Sequence, residues 1–346
     1  NMKINLNIIF TSFITVILFI IVFKPMVYSK TRVVLIGNQR FGDGGPMDAM
    51  ARGLDKCKND FGFQTKKLES PTPAEHEESV RAMAREGYDL IMTTFPPMTD
   101  ATVTIANEYP NISFAAIYQF VNVGGKKVSN VWDTEYQGQQ ATYLLGRIAA
   151  QISDSKRLGY VQGDSSEPIV NERNGFILGA KSVCSNCKIE FAVSDSWEDP
   201  VKGKEIALAM YSRGADIIET AAALTQMGVI EAAKETNKLV IGDVGDNYAM
   251  HPKGFVGFLG VDFGANVYLG CKMFKNKTFP KGKHTNMDIT NGGYYVPWDV
   301  LERFAKNNIK YEKSLNQAIK DGRILENEII NGDLVIEYNS NQKPPK

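Results

Sequence analysis

The sequence predicts an α/β fold of two lobes, each a parallel sheet flanked by helices, with a ligand cleft between the lobes. Short apolar segments typical of buried strands alternate with helical segments, and this alternation gives parallel sheets covered on both faces. It runs once over residues 31–152 and again over residues 157–274, which indicates two such sheets. The 346 residues of the chain are enough to build both lobes.

The N-terminus differs in composition from the rest of the chain. Lys3 precedes an apolar run over residues 8–23, and Ser29 follows it, as in a secretory signal cleaved after that serine. An uncleaved anchor is the alternative, because the run approaches the roughly 18 residues of a spanning helix. We expect a signal peptide or N-terminal anchor over 1–29, a first lobe over 30–152 plus about 275–335, a second lobe over 153–274 and a loose tail over 336–346.

The first series of elements is marked by helix-start and helix-stop residues. Pro46 suits the first turn of a helix, and Gly87 suits the end of another. The predicted strands cover residues 31–37, 61–68, 88–94, 112–118 and 130–133. The predicted helices cover residues 47–59, 74–86, 100–109 and 137–152. Small residues in the last helix, among them Gly146, indicate close packing on a neighbour.

The second series repeats the pattern and ends in a mixed region. Its predicted strands cover residues 157–162, 188–193, 215–220, 239–242 and 254–261. Its predicted helices cover residues 169–182, 228–236 and 265–274, with a further helix that follows Pro200 and ends near Tyr211. After these we expect a hairpin around residues 291–293 and helices near 298–306 and 312–321.

Charge and cysteine content restrict the function classes. Lys and Arg together number 39, as do Asp and Glu, and this balance argues against a nucleic-acid partner. The four cysteines can pair in three ways. Cys184 and Cys187 are placed to close a small surface disulfide in an oxidising compartment. A redox-active pair is the alternative, but the thioredoxin-like context is missing, and none of the histidines lies near enough to complete a metal site.

Motifs for phosphate binding and for nucleophilic or metal-dependent hydrolysis are absent from the sequence. The Gly-rich stretch over residues 42–48 has neither GxGxxG nor GxxxxGK[ST] spacing. GxSxG and HExxH are also absent. We therefore expect no catalytic residue, no metal and no cofactor, and we expect that the protein is not an enzyme.

Ligands of open parallel sheets bind beyond the carboxyl ends of the strands. The loops in that position cover residues 41–45, 95–98, 164–168, 221–226 and 243–247. Aromatic side chains near them, Phe41, Phe95, Trp197 and Tyr248, suit stacking on a flat heterocycle, with ordinary loop packing as the alternative.

Three carboxylates fall in the same loops. Asp43 suits either a ligand's amine or amide group or a helix cap. Asp243 and Asp246 suit the paired hydroxyls of a sugar, with a turn-forming loop as the alternative.

The string DPVKGKEIALAMYSRGADII over residues 199–218, followed by GVIEAAKE, resembles the basic membrane protein family of bacterial substrate-binding proteins. That family includes purine nucleoside receptors of ABC importers. YDLIMTTF, YLLGRIAAQISDSKRLGYVQG and VIGDVGD also resemble the family, and they occur in the right order. The likeness extends over most of the chain after the N-terminal segment.

The resemblance implies a type I periplasmic-binding-protein-like fold with the ligand enclosed between the lobes. It implies that the loop around Asp43 contacts a base, that aromatic residues sandwich it, and that Asp246 takes ribose hydroxyls. Two departures from the nucleoside binders are that Gly45-Pro46-Met47 replaces Ser-Phe-Asn and that residues 260–263 lack a lysine. Trp197 before Asp-Pro is nearer to a branch that binds a free purine base such as adenine. The family's lipid-anchor cysteine is also missing.

We therefore expect an exported receptor of the periplasm or cell envelope, either free or membrane-anchored, that binds a purine base or nucleoside. Its expected partners are this small molecule and an ABC permease, with no nucleic acid, and we expect a monomer. A receptor for another polar metabolite, a membrane-anchored sensor or regulator, and an enzyme are the rival hypotheses. The expected ligand-binding residues are Phe41, Asp43, Gly44, Phe95, Asn171, Trp197, Thr225 and Asp246.

Overall fold

The structure is a computed structural model that describes residues 30–42 and 45–345, so the expectations for residues 1–29, Asp43 and Gly44 lie outside the described residues. The strands in these ranges are β1 (Arg32–Gly37), β2 (Gln64–Glu69), β3 (Leu90–Thr94), β4 (Ser113–Ile117), β5 (Val131–Tyr136), β6 (Arg157–Gln162), β7 (Lys188–Val193), β8 (Ile217–Ala221), β9 (Leu239–Asp243), β10 (Phe255–Val261), β11 (Lys283–Met287) and β12 (Tyr294–Tyr295). The helices are α1 (Pro46–Phe61), α2 (Pro73–Arg85), α3 (Thr99–Glu108), α4 (Gln139–Ile152), α5 (Glu167–Val183), α6 (Pro200–Ser212), α7 (Gln226–Thr236), α8 (Phe263–Lys275), α9 (Trp298–Asn307) and α10 (Ile309–Asn331).

These strands form two six-stranded sheets, with strand orders β11-β5-β4-β3-β1-β2 and β12-β10-β9-β8-β6-β7. The pairings are parallel, except that β12 runs antiparallel to β10. The central strands β3, β4 and β8 are buried along their whole length because helices cover both faces. The predicted fold class is confirmed. We call the elements around the first sheet the first lobe and those around the second sheet the second lobe.

The chain passes between the lobes three times. The crossings lie at residues 137–138 between β5 and α4, at Asp262 between β10 and α8, and at residues 288–293 between β11 and β12. They are hydrogen-bonded to one another or to the adjoining strand. The Gln137 amide donates to the Met287 carbonyl at 2.9 Å, and the Asp262 amide donates to the Gly293 carbonyl at 3.0 Å. The three crossings therefore form one connected hinge region.

Two expectations about residues 275–335 are wrong. The hairpin expected around residues 291–293 does not form, because β11 pairs with β5 whereas β12 pairs with β10. The turn residues lie in a crossing instead. The expected limits also placed residues 275–335 in the first lobe, yet β12 belongs to the second sheet, α9 packs on β10, and α10 packs on α4 and α9. These elements belong to the second lobe because β12 pairs with β10, a strand of the second sheet that lies far from β12 in the chain.

Helices α4 and α5 pack at close range because glycines form their contact. A Cβ added to Gly146 would collide with the Phe176 carbonyl, and one added to Gly179 would collide with the Tyr143 carbonyl. Backbone atoms on the partner helix cannot yield as the end of a flexible side chain can. The close packing predicted at Gly146 is confirmed.

Replacing Gly179 by alanine should lower the free energy of unfolding by about 1–3 kcal/mol, the usual cost of overpacking a tight interface. Urea denaturation measures this loss. Leu178→Ala in the same helix is the control, because Leu178 is 40% exposed and its truncation should cost little. Equal stability of Gly179→Ala and the wild-type protein would show that α4 and α5 can separate without cost.

Two disulfides join the four cysteines. Cys184 and Cys187 close a short loop after α5, as expected, while Cys57 of α1 bonds to Cys271 of α8. Both members of the second pair are fully buried, and their Cα atoms lie 6.0 Å apart. This bond fixes the contact between two helices that are far apart in the chain.

The end of the chain is more ordered than its composition predicts. The sequence predicts a loose tail over residues 336–346, but Ile336 is buried and residues 336–342 are hydrogen-bonded to α4, α5 and the loop after β6. The prediction is therefore wrong for residues 336–342.

No helix within the described ranges is both long and apolar enough to cross a membrane.

Candidate functional site

An aromatic cluster surrounds the crossings on the first-lobe side. Phe95 lies 5.7 Å from Tyr118 and 5.8 Å from Phe263 between ring centroids, and Tyr136 lies 4.9 Å from Phe263. Tyr136 also contacts Tyr294 of the second lobe at 6.0 Å. Phe95 and Tyr118 come directly after β3 and β4, so the carboxyl ends of these strands bring their rings together. The cluster forms an apolar surface where the two lobes meet.

Phe95 and Tyr118 adopt a backbone conformation that is unusual for their residue type. Their φ angles are 63° and 57°, in a region that large side chains rarely occupy. The Phe95 amide donates to the Ile117 carbonyl, and the Tyr118 amide donates to the Thr134 hydroxyl, which fixes both residues. Such strain persists only where the surrounding structure holds it, and it concentrates at functional sites.

Phe41 lies in the same lobe, in the loop after β1. Its amide donates to the Glu69 carboxylate at 3.0 Å, and its ring packs on the apolar core that also supports Phe95. The structure therefore places Phe41 and Phe95 on one core surface. Asp43 and Gly44, the other two candidates of this loop, are among the residues that the structure does not describe.

Trp197 stands in the second lobe, in the turn that precedes α6. Its ring covers the loop after β6, where a Cβ added to Gly163 would lie 2.6 Å from the indole. Asp199 caps α6 by accepting from the Lys202 amide at 3.0 Å. Because Pro200 is the first helical residue, the cap and the proline fix where the helix begins. Trp197 is thus held flat against the carboxyl end of β6.

Thr225 is buried beneath this turn. Its hydroxyl donates to the Ser196 carbonyl at 3.0 Å and accepts from the Asp199 amide at 2.9 Å. Its own amide donates to the Trp197 carbonyl at 3.3 Å. These bonds make Thr225 a residue that positions Trp197. Its direct contact with a ligand stays a prediction.

Asn171 has two partners within the protein. Its amide group donates to the Gln139 side chain at 2.7 Å, and its carbonyl oxygen accepts from the Asn339 amide at 2.8 Å. The side chain is fully buried. Asn171 therefore joins α5 to α4 and to the chain end in this structure. The sequence placed it near the start of a helix, but nothing local indicated its partner in the tail.

Asp246 forms an ion pair with α9. Both carboxylate oxygens lie 2.7 Å from the Arg303 guanidinium, which also stacks over the Tyr248 ring at 4.2 Å. The pair is about two-fifths exposed. Arg303 therefore neutralises the carboxylate expected to take ribose hydroxyls. A ligand that contacts Asp246 must share it with this arginine.

Sequence reasoning missed two buried acids of the second lobe. Glu172 of α5 accepts from the Tyr294 hydroxyl at 2.5 Å, and burial raises the pKa of Glu172 to about 8 against the lowering effect of this bond. Glu219 of β8 is fully buried, and its two oxygens have no hydrogen-bond partner among the described residues. Burial raises the pKa of Glu219 well above its ordinary value, and nearby Glu172 and Asp243 add to the shift. The sequence could have indicated Glu219, because a charged residue there interrupts an apolar strand. No feature of the sequence marked Glu172 as a buried acid.

Asp243 ends β9 next to these acids. One of its oxygens accepts from the Ala223 amide at 2.9 Å, and burial raises its pKa to about 6. The carboxylate thus holds the loop after β8 in place.

Within the described residues, no group of three or more His, Cys, Asp or Glu side chains is arranged to bind a metal ion. The arrangement suits stacking and hydrogen bonding to a polar heterocycle.

The comparisons with known sequences agree on one family. The family described as "ABC transporter substrate-binding protein PnrA-like" matches residues 30–340. Basic membrane protein B of Borrelia garinii subsp. bavariensis is 27% identical over 319 residues, which cover 90% of this chain and 89% of that protein. The ABC transporter nucleoside-binding protein BmpA of Lactococcus lactis subsp. cremoris is 28% identical over 170 residues, 49% of this chain and 47% of that protein.

Solved structures agree on the fold. A solute-binding protein of an ABC transporter system from Aeropyrum pernix K1 superposes with a TM-score of 0.73 at 20% identity and covers 90% of this chain and 94% of its own. This neighbour shares the two-lobe architecture described above. The family match extends from the first strand to the bound chain end, across both lobes and all three crossings. The chain therefore belongs to the Bmp family of PnrA-like ABC transporter substrate-binding proteins.

Proposed function

We propose that this protein is the extracytoplasmic receptor of an ABC importer and binds a purine base or nucleoside between its lobes. The observation that carries the proposal is the placement of Trp197 flat against Gly163 at the carboxyl end of the second sheet. The Phe95 and Tyr118 rings occupy the corresponding end of the first sheet. Two aromatic surfaces on opposite lobes suit a flat heterocycle, which gains about 1–3 kcal/mol per stacked base.

The polar groups around these surfaces support a heterocycle over a purely apolar ligand. Glu172 and Asp243 are buried carboxyls of the second lobe, and carboxyl oxygens accept hydrogen bonds. Burial raises the pKa of Glu172 to about 8, so near pH 7 this carboxyl is mostly protonated and also donates. The Lactococcus lactis relative is itself named a nucleoside-binding protein, which favours the same ligand class here. Ligand binding would favour the closed arrangement of the lobes and so mark the loaded receptor for a permease.

A thermal-shift and calorimetric panel tests the ligand class. Adenine, guanine, hypoxanthine and their nucleosides should raise the melting temperature, because a ligand that binds only the folded protein stabilises it. Sugars and amino acids are the comparison sets. A shift with sugars alone would transfer the proposal to another polar metabolite, and nucleoside turnover by the pure protein would support the enzyme hypothesis.

Trp197→Ala should weaken adenine binding by about 10-fold or more, because it removes a stacking surface worth about 1–3 kcal/mol. Isothermal titration calorimetry measures the change. Trp197→Phe is the matched control, since it keeps an aromatic face over Gly163 and should retain most of the affinity. If alanine and phenylalanine variants bind adenine as the wild-type protein does, Trp197 is not part of the site.

A further inference from the structure

A buried carboxyl and a tyrosine hydroxyl meet at the hinge region. Glu172 of α5 is only 4% exposed, and it accepts from the Tyr294 hydroxyl at 2.5 Å. A Cβ added to Gly138 would lie 2.7 Å from the Tyr294 ring and 2.8 Å from a Glu172 oxygen. Gly138 belongs to the crossing between β5 and α4. The pair is therefore packed directly against the chain where it passes from one lobe to the other.

Tyr294 also adjoins the other two crossings. It directly follows the crossing at residues 288–293, and its amide donates to the Asp288 carbonyl at 3.1 Å. In the β10–β12 ladder it pairs with Val261, the last residue before the crossing between β10 and α8. Its ring contacts Tyr136 at the end of β5, with 6.0 Å between the centroids. The position of the Tyr294 side chain is thus coupled to all three crossings and to both sheets.

The surroundings of Glu172 provide no counter-charge. No ion pair among the described residues includes it. The arginines of α5 and α4 have other partners, since Arg173 donates to the Gln342 carbonyl and Arg147 donates to the Ser182 hydroxyl. The titratable groups that interact with Glu172 from the neighbouring elements are carboxyls and phenols: Asp164 after β6, Asp243 of β9, Glu219 of β8, Tyr160 of β6, Tyr118 after β4 and Tyr294 of β12. An ionised Glu172 would therefore be a buried charge without a cation, which is costly.

We propose that Glu172 and Tyr294 form a proton-dependent lock on the hinge region, which is tight while Glu172 carries its proton and loosens when that proton passes to water. The protonated carboxyl can stay dry between α5 and the crossing at Gly138. An ionised carboxyl is stabilised by water, and water reaches it only when the pair moves away from this crossing. Contacts made in only one arrangement of the lobes shift the equilibrium between arrangements. The proton therefore favours the arrangement in which the pair is packed against Gly138.

The direction of the pH effect follows from the two environments of Glu172. Burial raises the pKa of Glu172 to about 8, and Asp243 and Asp164 add to this shift against the lowering effect of the Tyr294 bond. A carboxyl in contact with water has a pKa of about 4.3. The lock is therefore complete below about pH 4.3, weakens by up to about 10-fold per pH unit above it, and stops weakening above the buried pKa.

Amide hydrogen exchange of the protein without ligand, measured from about pH 6 to about pH 9, tests the lock. Protection factors are compared, because they remove the direct effect of pH on the exchange reaction. The amides of Gln137 and Asp262 report on the hinge region through their hydrogen bonds, and that of Val34, in the core of the first sheet, reports on global unfolding. We expect hinge protection to fall by about 10-fold or more from about pH 6 to about pH 8 and then to level off.

Two variants separate the proton from the packing of the pair. Glu172→Gln keeps an acceptor for the Tyr294 hydroxyl but cannot ionise, so its hinge protection should lack this fall with pH. Glu167→Gln is the matched control, because Glu167 is exposed at the start of the same helix and its replacement should leave the wild-type profile. Tyr294→Phe keeps the ring and removes the bond that lowers the pKa of Glu172, so the pH at which protection levels off should rise.

The same pH profile of hinge protection in the wild-type and Glu172→Gln proteins would overturn the proposal. An unshifted profile in Tyr294→Phe would contradict it as well. Equal protection of Asp262 and Val34 at every pH would also overturn it, because the hinge would then open only by global unfolding. These measurements use no ligand, so their outcome is independent of whether the protein binds a purine.

Discussion

Replacing both Cys57 and Cys271 by alanine is expected to lower the free energy of unfolding by about 5 kcal/mol. The bond joins positions 214 residues apart, and closing so long a loop removes much of the conformational freedom of the unfolded chain. Both side chains are fully buried between α1 and α8, so contact with water does not offset the loss of the bond. Guanidinium denaturation followed by circular dichroism measures the loss.

The second disulfide is the internal control. Cys184 and Cys187 are only 3 residues apart in the chain, so their replacement by alanine should cost about 2 kcal/mol in the same chain-entropy estimate. Equal losses for the two double variants would contradict the loop-length explanation. They would assign the stabilisation to local packing around each bond.

The stability of the protein should fall by about 3 kcal/mol from about pH 6 to about pH 10 through His284 alone. The Asp133 carboxylate accepts from the His284 ring at 2.6 Å, and this bond, with a further contribution from Glu135, raises the pKa of His284 to about 9. The unfolded value is about 6.5. The stabilisation is therefore complete below the unfolded pKa and is lost as the pH rises through the folded pKa.

Comparison with His284→Gln isolates this effect. Burial raises the pKa of Glu172 to about 8, so its ionisation weakens the native state over an overlapping range and in the same direction. Both proteins share that contribution, and it cancels in the difference between them. Urea denaturation at several pH values should show a difference that is largest near pH 6 and vanishes above the folded pKa. A constant difference would mean that His284 does not change charge in this range.

Local sequence signals predicted most of the fold. Buried strands read as apolar runs, and the Asp199 cap followed by Pro200 marked the start of α6. The signals failed where structure depends on distant partners. The turn at residues 291–293 looked like a hairpin because its residues favour a turn, but the adjacent strands pair with different sheets. Chain separation hides such pairings from any local pattern.

In the candidate site, too, local signals predicted part of the structure and missed the contacts with distant residues. The rule that ligands bind at the carboxyl ends of parallel strands led to the loops that carry Phe95 and Trp197. It could not show that Asp246 pairs with Arg303, 57 residues away, or that Asn171 binds Asn339, 168 residues away. The chain end, with Asn339, Ser340, Asn341 and two prolines, reads as loose from composition, because composition carries no information about the side-chain amides and the guanidinium that bind its backbone.

The discontinuous first sheet determines the order in which this protein can be completed during synthesis. Its edge strand β11 and Cys271 both follow the parallel strands of the second sheet in the chain. A growing chain folds from its N-terminus, so β1–β5 emerge first yet lack their last strand and their covalent tie until nearly 290 residues exist. The second lobe is also incomplete until β12 and the chain end arrive. Both halves thus finish together, which makes folding of this receptor a late, concerted event with exposed sheet edges beforehand.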